Sequence, residues 1–329
     1  MEKLDFNALL AKLKSLKGKT VISFHSIADL DAVASAVALQ KLIKNSEIRS
    51  VDCVNSQAKR TLKKLQIELK PFSEKELNNL NIWHNIIFVD VSNRELLSNL
   101  ASHLHTFRGN ILAIDHHTHN HEFKNAHVYI DSGKGAASEI IFEISKALKK
   151  KPDSKTSFLL AGGIVSDTAY FQSANSASLE TVSRLLKIAK KELSELYSLI
   201  ESHPDVSERI ASIKSVQRAI YERIGEVLLA SSESSAFELN CASSLVKCGA
   251  DFAIVLNRKE GKISCVKSRS PAFSKLNIGE LLKEVASSVS GSGGGHEFVG
   301  GANFPKQNGE KAVALSLELA KKSLNNELM

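Results

Sequence analysis

A chain of 329 residues with 43% hydrophobic and 24% charged side chains has the composition of a globular protein long enough for two cores, which excludes a disordered chain. No apolar run approaches the roughly 20 residues a membrane helix needs, and the charged N-terminal stretch MEKLDFNALLAKLKSLKGK lacks a signal-peptide core, so a cytoplasmic protein with no membrane partner is expected. The net charge of +7 favours phosphate-bearing partners without specifying one.

In chain order, residues 1–19 read as an amphipathic helix. Apolar runs at 20–24 (TVISF), 48–54, 86–89 and 111–114 read as buried parallel strands, separated by helical patterns at 31–44, 57–65 and 94–105. This alternation predicts a doubly wound, mainly parallel α/β sheet with helices on both faces. Helices follow at 136–150 and 157–170, then a long one over 179–201 and another over 207–224. The last two carry few groups of chemical interest, so 201–224 is expected to be a helical connector between domains at 1–200 and 225–329. The second domain reads as a smaller α/β unit, with a strand at 226–230 and a helix at 236–246. Strands at 252–256 and 262–266 flank a Glu260-Gly261 turn, a hairpin signature. A helix at 278–288 runs into a glycine-rich loop at 291–295, and an amphipathic helix covers 310–324. Cys53, Cys241, Cys248 and Cys265 show no Cys-x-x-Cys spacing and read as reduced, mostly core thiols rather than a zinc site.

Carboxylates and histidines gather at the predicted strand ends. His25 follows the first strand within HSIADLD, Asp90 closes IIFVD, Asp115-His116-His117 closes ILAID, and Asp167 ends the apolar run AGGIVSD. In an open α/β sheet, ligands bind beyond the C-terminal ends of the strands. Burying a carboxylate unpaired is costly, and Arg94 is the only Lys or Arg close by in sequence, so these groups would repel one another without cations among them. Oxygen and imidazole donors without thiolates suit manganese or magnesium. Singly, each piece has a plainer reading. Asp29 and Asp31 suit an N-cap and an acidic first turn of a helix. Asp90 suits a turn, and His116, His117, His119 and His121 suit a solvated loop, a reading that fits the last two best. The conjunction and its order are what point to chemistry.

That conjunction resembles the DHH phosphoesterase superfamily, named for the triplet standing here as Asp115-His116-His117. HSIADLDAVAS, FVDVS, IDHH and GGIVSDTAYF match its four N-terminal motifs in order and approximate spacing. Gly293-Gly294-Gly295-His296, within GSGGGHEFVGGA, resembles the signature of the DHH-associated domain. The resemblance covers essentially the whole chain. It implies two Mn2+ ions, with Mg2+ an alternative, sharing Asp90 as a bridging ligand. His25 and Asp29 would complete one site; Asp31, His116 and Asp167 would complete the other. Asp115 is implied to orient His116, and His117 to face the substrate phosphate; these two are the implied catalytic residues beside the ligands. Gly293, Gly294, Gly295 and His296, with Arg269 and Lys267, are implied to bind substrate, the glycines through close backbone approach and free N–H groups. Ala28 stands where the family often has Pro, Ala34 where it often has Gly, and Val299-Gly300-Gly301 where Ala-Ala-Gly is common. None removes a ligand, so these departures bear on substrate fit.

The implied activity is two-metal hydrolysis of short single-stranded RNA or DNA to nucleoside 5′-monophosphates. The alternative is a phosphatase or phosphodiesterase for small nucleotides, 3′-phosphoadenosine-5′-phosphate or cyclic dinucleotides. A non-catalytic nucleic-acid-binding scaffold fits less well, because every ligand position is kept, and inorganic pyrophosphatases share the N-terminal motifs without the GGGH loop. The expected partner is a single-stranded nucleic acid or nucleotide, with homo-oligomer formation left open. One Trp (Trp83) and four Tyr are few stacking residues, which argues for short substrates. The lysines of 146–151 and 187–191 read as solvated helix faces.

Overall fold

Seven strands form the first sheet among the residues that the computed structural model describes, 2–91, 93–117, 126–201 and 205–325. His119 and His121, and Ser92 of the FVDVS motif, lie outside the described residues. The strands are β1 (Glu2–Lys3), β2 (Thr20–Ser23), β3 (Ser46–Ser50), β4 (Lys70–Pro71), β5 (Asn85–Val89), β6 (Asn110–Asp115) and β7 (Ala126–Ile130). They lie in the order β1-β7-β6-β5-β2-β3-β4, and every pairing is parallel. The direction of winding reverses between β2 and β5. Beyond β2 the chain moves outward through β3, and beyond β5 it moves the other way through β6, so the crevice for a ligand opens at the C-terminal ends of β2 and β5.

Helices cover both faces: α1 (Phe6–Ser15), α2 (Leu30–Leu42), α3 (Ser56–Lys64), α4 (Glu74–Asn78), α5 (Ser98–His103), α6 (Ala137–Ala147), α7 (Ser154–Asp167), α8 (Ser176–Ala189) and α9 (Leu193–Ile200). Successive strand residues point to opposite faces. Ile22, Ile87, Val89, Leu112 and Ile114 therefore join one core with α1, α2, α6, α7 and α8, while Val21, Ile86, Phe88, Ile111 and Ala113 join the other with α5. With both faces covered, each strand reads as an unbroken apolar run rather than an alternating one. The α2 sequence LDAVASAVALQ is small and apolar on every side because the helix is buried between neighbours, α7 among them.

Several expected elements differ in extent. The strand expected at 48–54 is β3, and β7 was not anticipated. The helical pattern of 94–105 is broken into a 3-10 turn at Arg94–Leu97, then α5, then a second 3-10 turn at Leu104–Thr106. The long helix expected over 179–201 is two, because Lys190 enters the left-handed region (φ 54°) and ends α8, and Glu192 then caps α9.

The chain divides at Ser202 into two compact units, and the second is built by itself from α10 (Val206–Gln217), β8 (Ile220–Ile224), β9 (Val227–Glu233), α11 (Glu238–Lys247), β10 (Phe252–Asn257), β11 (Lys262–Lys267), α12 (Ile278–Ser288), β12 (Ser292–Gly295), β13 (Val299–Asn303) and α13 (Gly309–Asn325). Its sheet runs β12-β13-β11-β10-β9-β8, parallel only between β9 and β10 among the described residues. The helical connector expected at 201–224 is corrected: β8 pairs with β9, and Ser232 Oγ donates to the Ser215 carbonyl at 2.7 Å, tying α10 to the second sheet. The β10–β11 hairpin forms as read. Asn257 Oδ1 accepts the Lys259 and Glu260 amides, and Gly261 (φ +67°) lies where a Cβ would come within 2.1 Å of the Phe304 carbonyl oxygen. Cys241 and Cys265 are buried, whereas Cys53 and Cys248 are exposed, so only half of the thiols are core residues. Among the described residues, no helix is long and apolar enough to cross a membrane.

Candidate metal centre

His25, Asp29, Asp31, Asp90, Asp115, His116, His117 and Asp167 converge at the crevice in the first unit. Their donor atoms fall into three groups, each within 4.8 Å: His25 with Asp29 and Asp90; Asp31 with His116 and Asp167; and Asp90 with Asp115, His116 and His117. Asp90 sits at the middle. Its Oδ2 lies 3.7 Å from His25 Nε2, while Oδ1 lies 3.5 Å from His116 Nε2 and 3.4 Å from His117 Nδ1. The turn that carries it is tight, with Asp90 in the left-handed region (φ 56°) that Asp tolerates better than most residues, and its amide is bonded to the Ile114 carbonyl on β6.

His25, His116, Asp29 and Asp31 are aimed by backbone. His25 Nδ1 lies 2.9 Å from the Ser26 carbonyl and His116 Nδ1 3.3 Å from that of Lys134; with Nδ1–H donating there, both Nε2 lone pairs face the carboxylates. Asp29 does cap α2, accepting the Ala32 amide at 3.0 Å, yet the same Oδ1 lies 4.0 Å from His25 Nε2. Asp31 accepts the amides of Ala137 (2.6 Å) and Ser138 (2.9 Å), the first turn of α6, whose own N-cap Ala136 brings no capping side chain. Asp167, grouped with the strand-end carboxylates although the helix read over 157–170 contains it, is the last residue of α7, with Oδ2 3.2 Å from His116 Nε2. Asp115 is also reassigned. Its Oδ1 accepts the backbone amides of His116 and His117 and sits 2.8 Å from His117 Nδ1, so it holds the turn and the His117 ring, while the Lys134 carbonyl orients His116.

The residues fit a cation. Asp90 Oδ1 and His116 Nε2 are buried without a hydrogen-bond partner, although buried polar atoms are nearly always paired. The donor set has carboxylate oxygens and imidazole nitrogens and no thiolate, which suits a hard or borderline divalent ion.

Protonation carries the same message. Burial opposes a charged His25, but the Asp90 carboxylate and the Ser26 carbonyl outweigh it and raise the pKa to about 9. Burial likewise opposes a charged His116, and Asp90, Asp31 and Asp167 raise it to about 10. Asp167 is pushed up to about 6 by burial and by Asp90 and Asp29, against the pull of His116. Burial and neighbouring carboxylates raise Asp29 and Asp31 as well. Asp90 alone among the four is held down, its burial outweighed by the nearby His116 and His25 imidazoles. Without metal, protons occupy a cluster whose negative charge calls for cations.

Gly163 was not singled out in the sequence. It lies in α7 where a Cβ would come within 2.5 Å of Ser138 Oγ and 2.9 Å of Asp31 Oδ1. Gly163→Ala should therefore displace Asp31 from the α6 amides, weaken metal binding and lower the melting temperature, since overpacking costs about 1–3 kcal/mol. Calorimetric metal titration and thermal melting check this; unchanged metal affinity would mean that Asp31 does not depend on the close approach of α7.

In the second unit, the GGGH segment is not a free loop. Ser292–Gly295 is the edge strand β12, paired with β13 so that Gly294 faces Gly301 and Gly295 faces Gly300. The glycines let α12 lie on the ribbon: a Cβ on Gly293 would come within 2.6 Å of the Leu282 carbonyl oxygen, and one on Gly279 within 2.4 Å of that of Gly295. The α12 amides of Ile278, Gly279 and Glu280 already donate to Glu297 O, His296 O and Asn277 Oδ1. Only Gly294 has open space, apart from the Lys283 side chain at 3.7 Å. Lys267 is corrected from substrate-binding to structural: its side chain is 1% exposed, and Nζ donates to the Phe273 and Leu276 carbonyls. Arg269 and His296 are exposed, and the Arg269 guanidinium lies 5.5 Å from the Phe298 ring centre.

Comparison with known proteins agrees with this architecture. Residues 19–164 match the family described as "DHH family, N-terminal domain", and residues 242–322 match the DHHA1 domain. An uncharacterised protein of Methanocaldococcus jannaschii is 29% identical over 319 residues, covering 92% of this chain and 93% of its own. An exopolyphosphatase-related protein from Bacteroides fragilis superposes with a TM-score of 0.75 at 17% identity, covering 96% of both chains. The manganese-bound exonuclease RecJ superposes with a TM-score of 0.51 at 13% identity, covering 95% of this chain and 93% of that one. Fold, cluster and matches together define a metal-dependent phosphoesterase. Residues 19–164 are a DHH-family N-terminal domain, and residues 242–322 a DHHA1 domain.

Proposed function

We propose that this protein is a two-metal phosphodiesterase that removes nucleoside 5′-monophosphates from short single-stranded RNA or DNA. The observation that carries the reading is the single Asp90 carboxylate, whose two oxygens face different imidazoles on opposite sides. His25, Asp29 and Asp90 would hold one Mn2+, and Asp31, Asp90, His116 and Asp167 the other. Bound divalent ions would supply a lowered pKa for water and neutralisation of charge on the departing oxygen.

The chain's own groups complete the site. His117 is 42% exposed, and its Nδ1 is held by Asp115, which raises its pKa chiefly through that hydrogen bond. Anchored through Nδ1, the ring would donate from Nε2 to a phosphate oxygen when protonated. In the second unit, the exposed Arg269 and His296 are proposed substrate-binding residues.

Short substrates are favoured by the scarcity of stacking surface. Trp83 is only 3% exposed, with Lys19 and Arg49 over its ring, so it offers no platform for a base. Purified protein with manganese should be offered labelled RNA and DNA of about two to twenty nucleotides, beside phosphoadenosine phosphate, a range set by the few stacking sites. Mononucleotide products from two- to five-residue oligomers, at least as fast as from long strands, are expected. Processive digestion of long strands with little turnover of dinucleotides would overturn the reading.

A further inference from the structure

The lysine run at 146–151 and Lys187 of the run at 187–191, which the sequence leaves as separate solvated faces, meet on one surface of the first unit. Lys146, Lys149, Lys150 and Lys151 follow from the C-terminal end of α6, and Arg184 and Lys187 come from the last turns of α8. They line a groove of about 550 Å³, completed by Phe142, Ser145, Pro152 and Ile188 and by no carboxylate. Neighbouring acids are engaged elsewhere or at its margin: Asp153 pairs with Lys41, and Glu180 with Arg184.

The groove is distinct from the metal centre. The first amides of α6 bind Asp31 at the crevice, and Glu139 there pairs with Ser178 at the start of α8. The two helices thus begin together near the metal centre and end together at the groove, about 16 Å away for an 11-residue helix. Lysines at helix C-terminal ends also complement the helix dipole, but that effect acts within each helix and does not require two runs to face one groove. Lys150 Nζ donates to the Leu42 carbonyl and Lys146 Nζ lies over the Phe142 ring. Among the described residues, Lys149, Lys151 and Lys187 form no ion pair, so the groove presents cations to which a polyanion is complementary.

We propose that this groove binds the phosphate backbone of a nucleic-acid strand, as an anchoring site separate from the metal centre. The occupant follows from the chemistry of the lining. Its donors are point-charge ammonium groups and one guanidinium; the Ser145 hydroxyl is turned to the Phe142 carbonyl, and the Phe142 ring is 3% exposed. Such a surface offers positive charge without a stacking face, which suits backbone phosphates. An acidic peptide would present the same sign of charge and is an outcome of the test.

The test uses the full chain in EDTA, so that neither metals nor cleavage contribute, and the variant Lys149→Glu/Lys151→Glu/Lys187→Glu. Binding of a labelled 20-nucleotide oligouridylate is followed by fluorescence anisotropy at several salt concentrations, with circular dichroism showing that the variant is folded. Wild type should bind with a steep salt dependence. The variant should bind at least about tenfold more weakly at low salt, with the slope of log K against log salt reduced by about 2, from roughly 0.7 per phosphate contact on a single strand. With metal restored, dinucleotide turnover should be equal in the two proteins, because a dinucleotide at the metal centre does not reach the groove. Equal binding and equal salt slopes in wild type and variant would overturn the proposal. So would displacement by poly-glutamate at the concentration at which unlabelled strand competes, which would assign the groove to an acidic polypeptide. The binding arm does not rest on the proposed nuclease activity, so failure of one leaves the other standing.

Discussion

Asp90→Ala is expected to abolish hydrolysis while leaving the fold intact. Asp90 is the one carboxylate shared by the two groups around His25 and around His116, so its loss should remove ligands from both proposed metal sites together. The loss in kcat should exceed the roughly 10–100-fold typical when a residue that only orients a metal ligand is changed. The metal-free protein should be less stable, because Asp90 is held below its ordinary range by His116 and His25 and is a principal source of their raised pKa values, and because Ala is disfavoured by about 1–2 kcal/mol in the left-handed conformation Asp90 adopts. Asp90→Asn, which keeps the shape and removes the charge, should lose activity to the same degree. Both variants should also lower the pKa values of His25 and His116 in the metal-free protein, because Asp90 is a principal source of their elevation. Activity within tenfold of wild type in either variant would sink the bridging assignment.

Removing metal should have the second largest effect, and its pH dependence is specific. Chelator-treated, dialysed protein should be inactive and recover best with manganese; full activity in excess EDTA would contradict the proposed chemistry. The metal-free site holds protons on His25 (about 9), His116 (about 10) and, in acid, Asp167 (about 6). A cation must displace them, so apparent affinity should rise with pH up to about 10, most steeply below about 6 where all three protons must leave, with protons released on binding. Stability of the metal-free protein should run the opposite way. Both histidines bind protons more tightly folded than at their ordinary 6.5, so they add stability below pH 6.5 that is lost as pH rises through 9 to 10. The melting temperature without metal should therefore fall from pH 6.5 to 10, while the increment gained on adding manganese grows. Metal affinity independent of pH over this range would mean that these imidazoles are not the ligands.

Much of the parallel sheet and of the ligand set was legible in the chain itself. A strand buried on both faces must be continuously apolar, so TVISF, IIFV and ILAI announce themselves, and the polar residue that ends each run stands where a switch-point crevice opens. His25, Asp90, Asp115, His116 and His117 were gathered by that rule, with Asp29 and Asp31 in the HSIADLD segment that follows β2. Asp167 was gathered by the apolar run AGGIVSD, which lies in the helix read over 157–170 and is the end of α7, packed among other helices.

What the tertiary structure alone decided lies in contacts between segments distant in sequence. The α6 amides that hold Asp31 and the approach of Gly163 to the same carboxylate are contacts across more than a hundred residues. The glycines of the GGGH segment looked like free backbone because composition reports the absence of a side chain, not what fills the space; here α12 and β13 fill it. Lys267 looked exposed because lysine usually is, yet the Phe273 and Leu276 carbonyls satisfy its charge in the interior. The meeting of Lys146–Lys151 with Arg184 and Lys187 was likewise hidden, because each run is an ordinary solvated face until two helices end side by side. Local pattern determines which residues are apolar, which cap helices and which end strands; whether a charge is aimed, buried or crowded depends on neighbours that only the folded chain supplies.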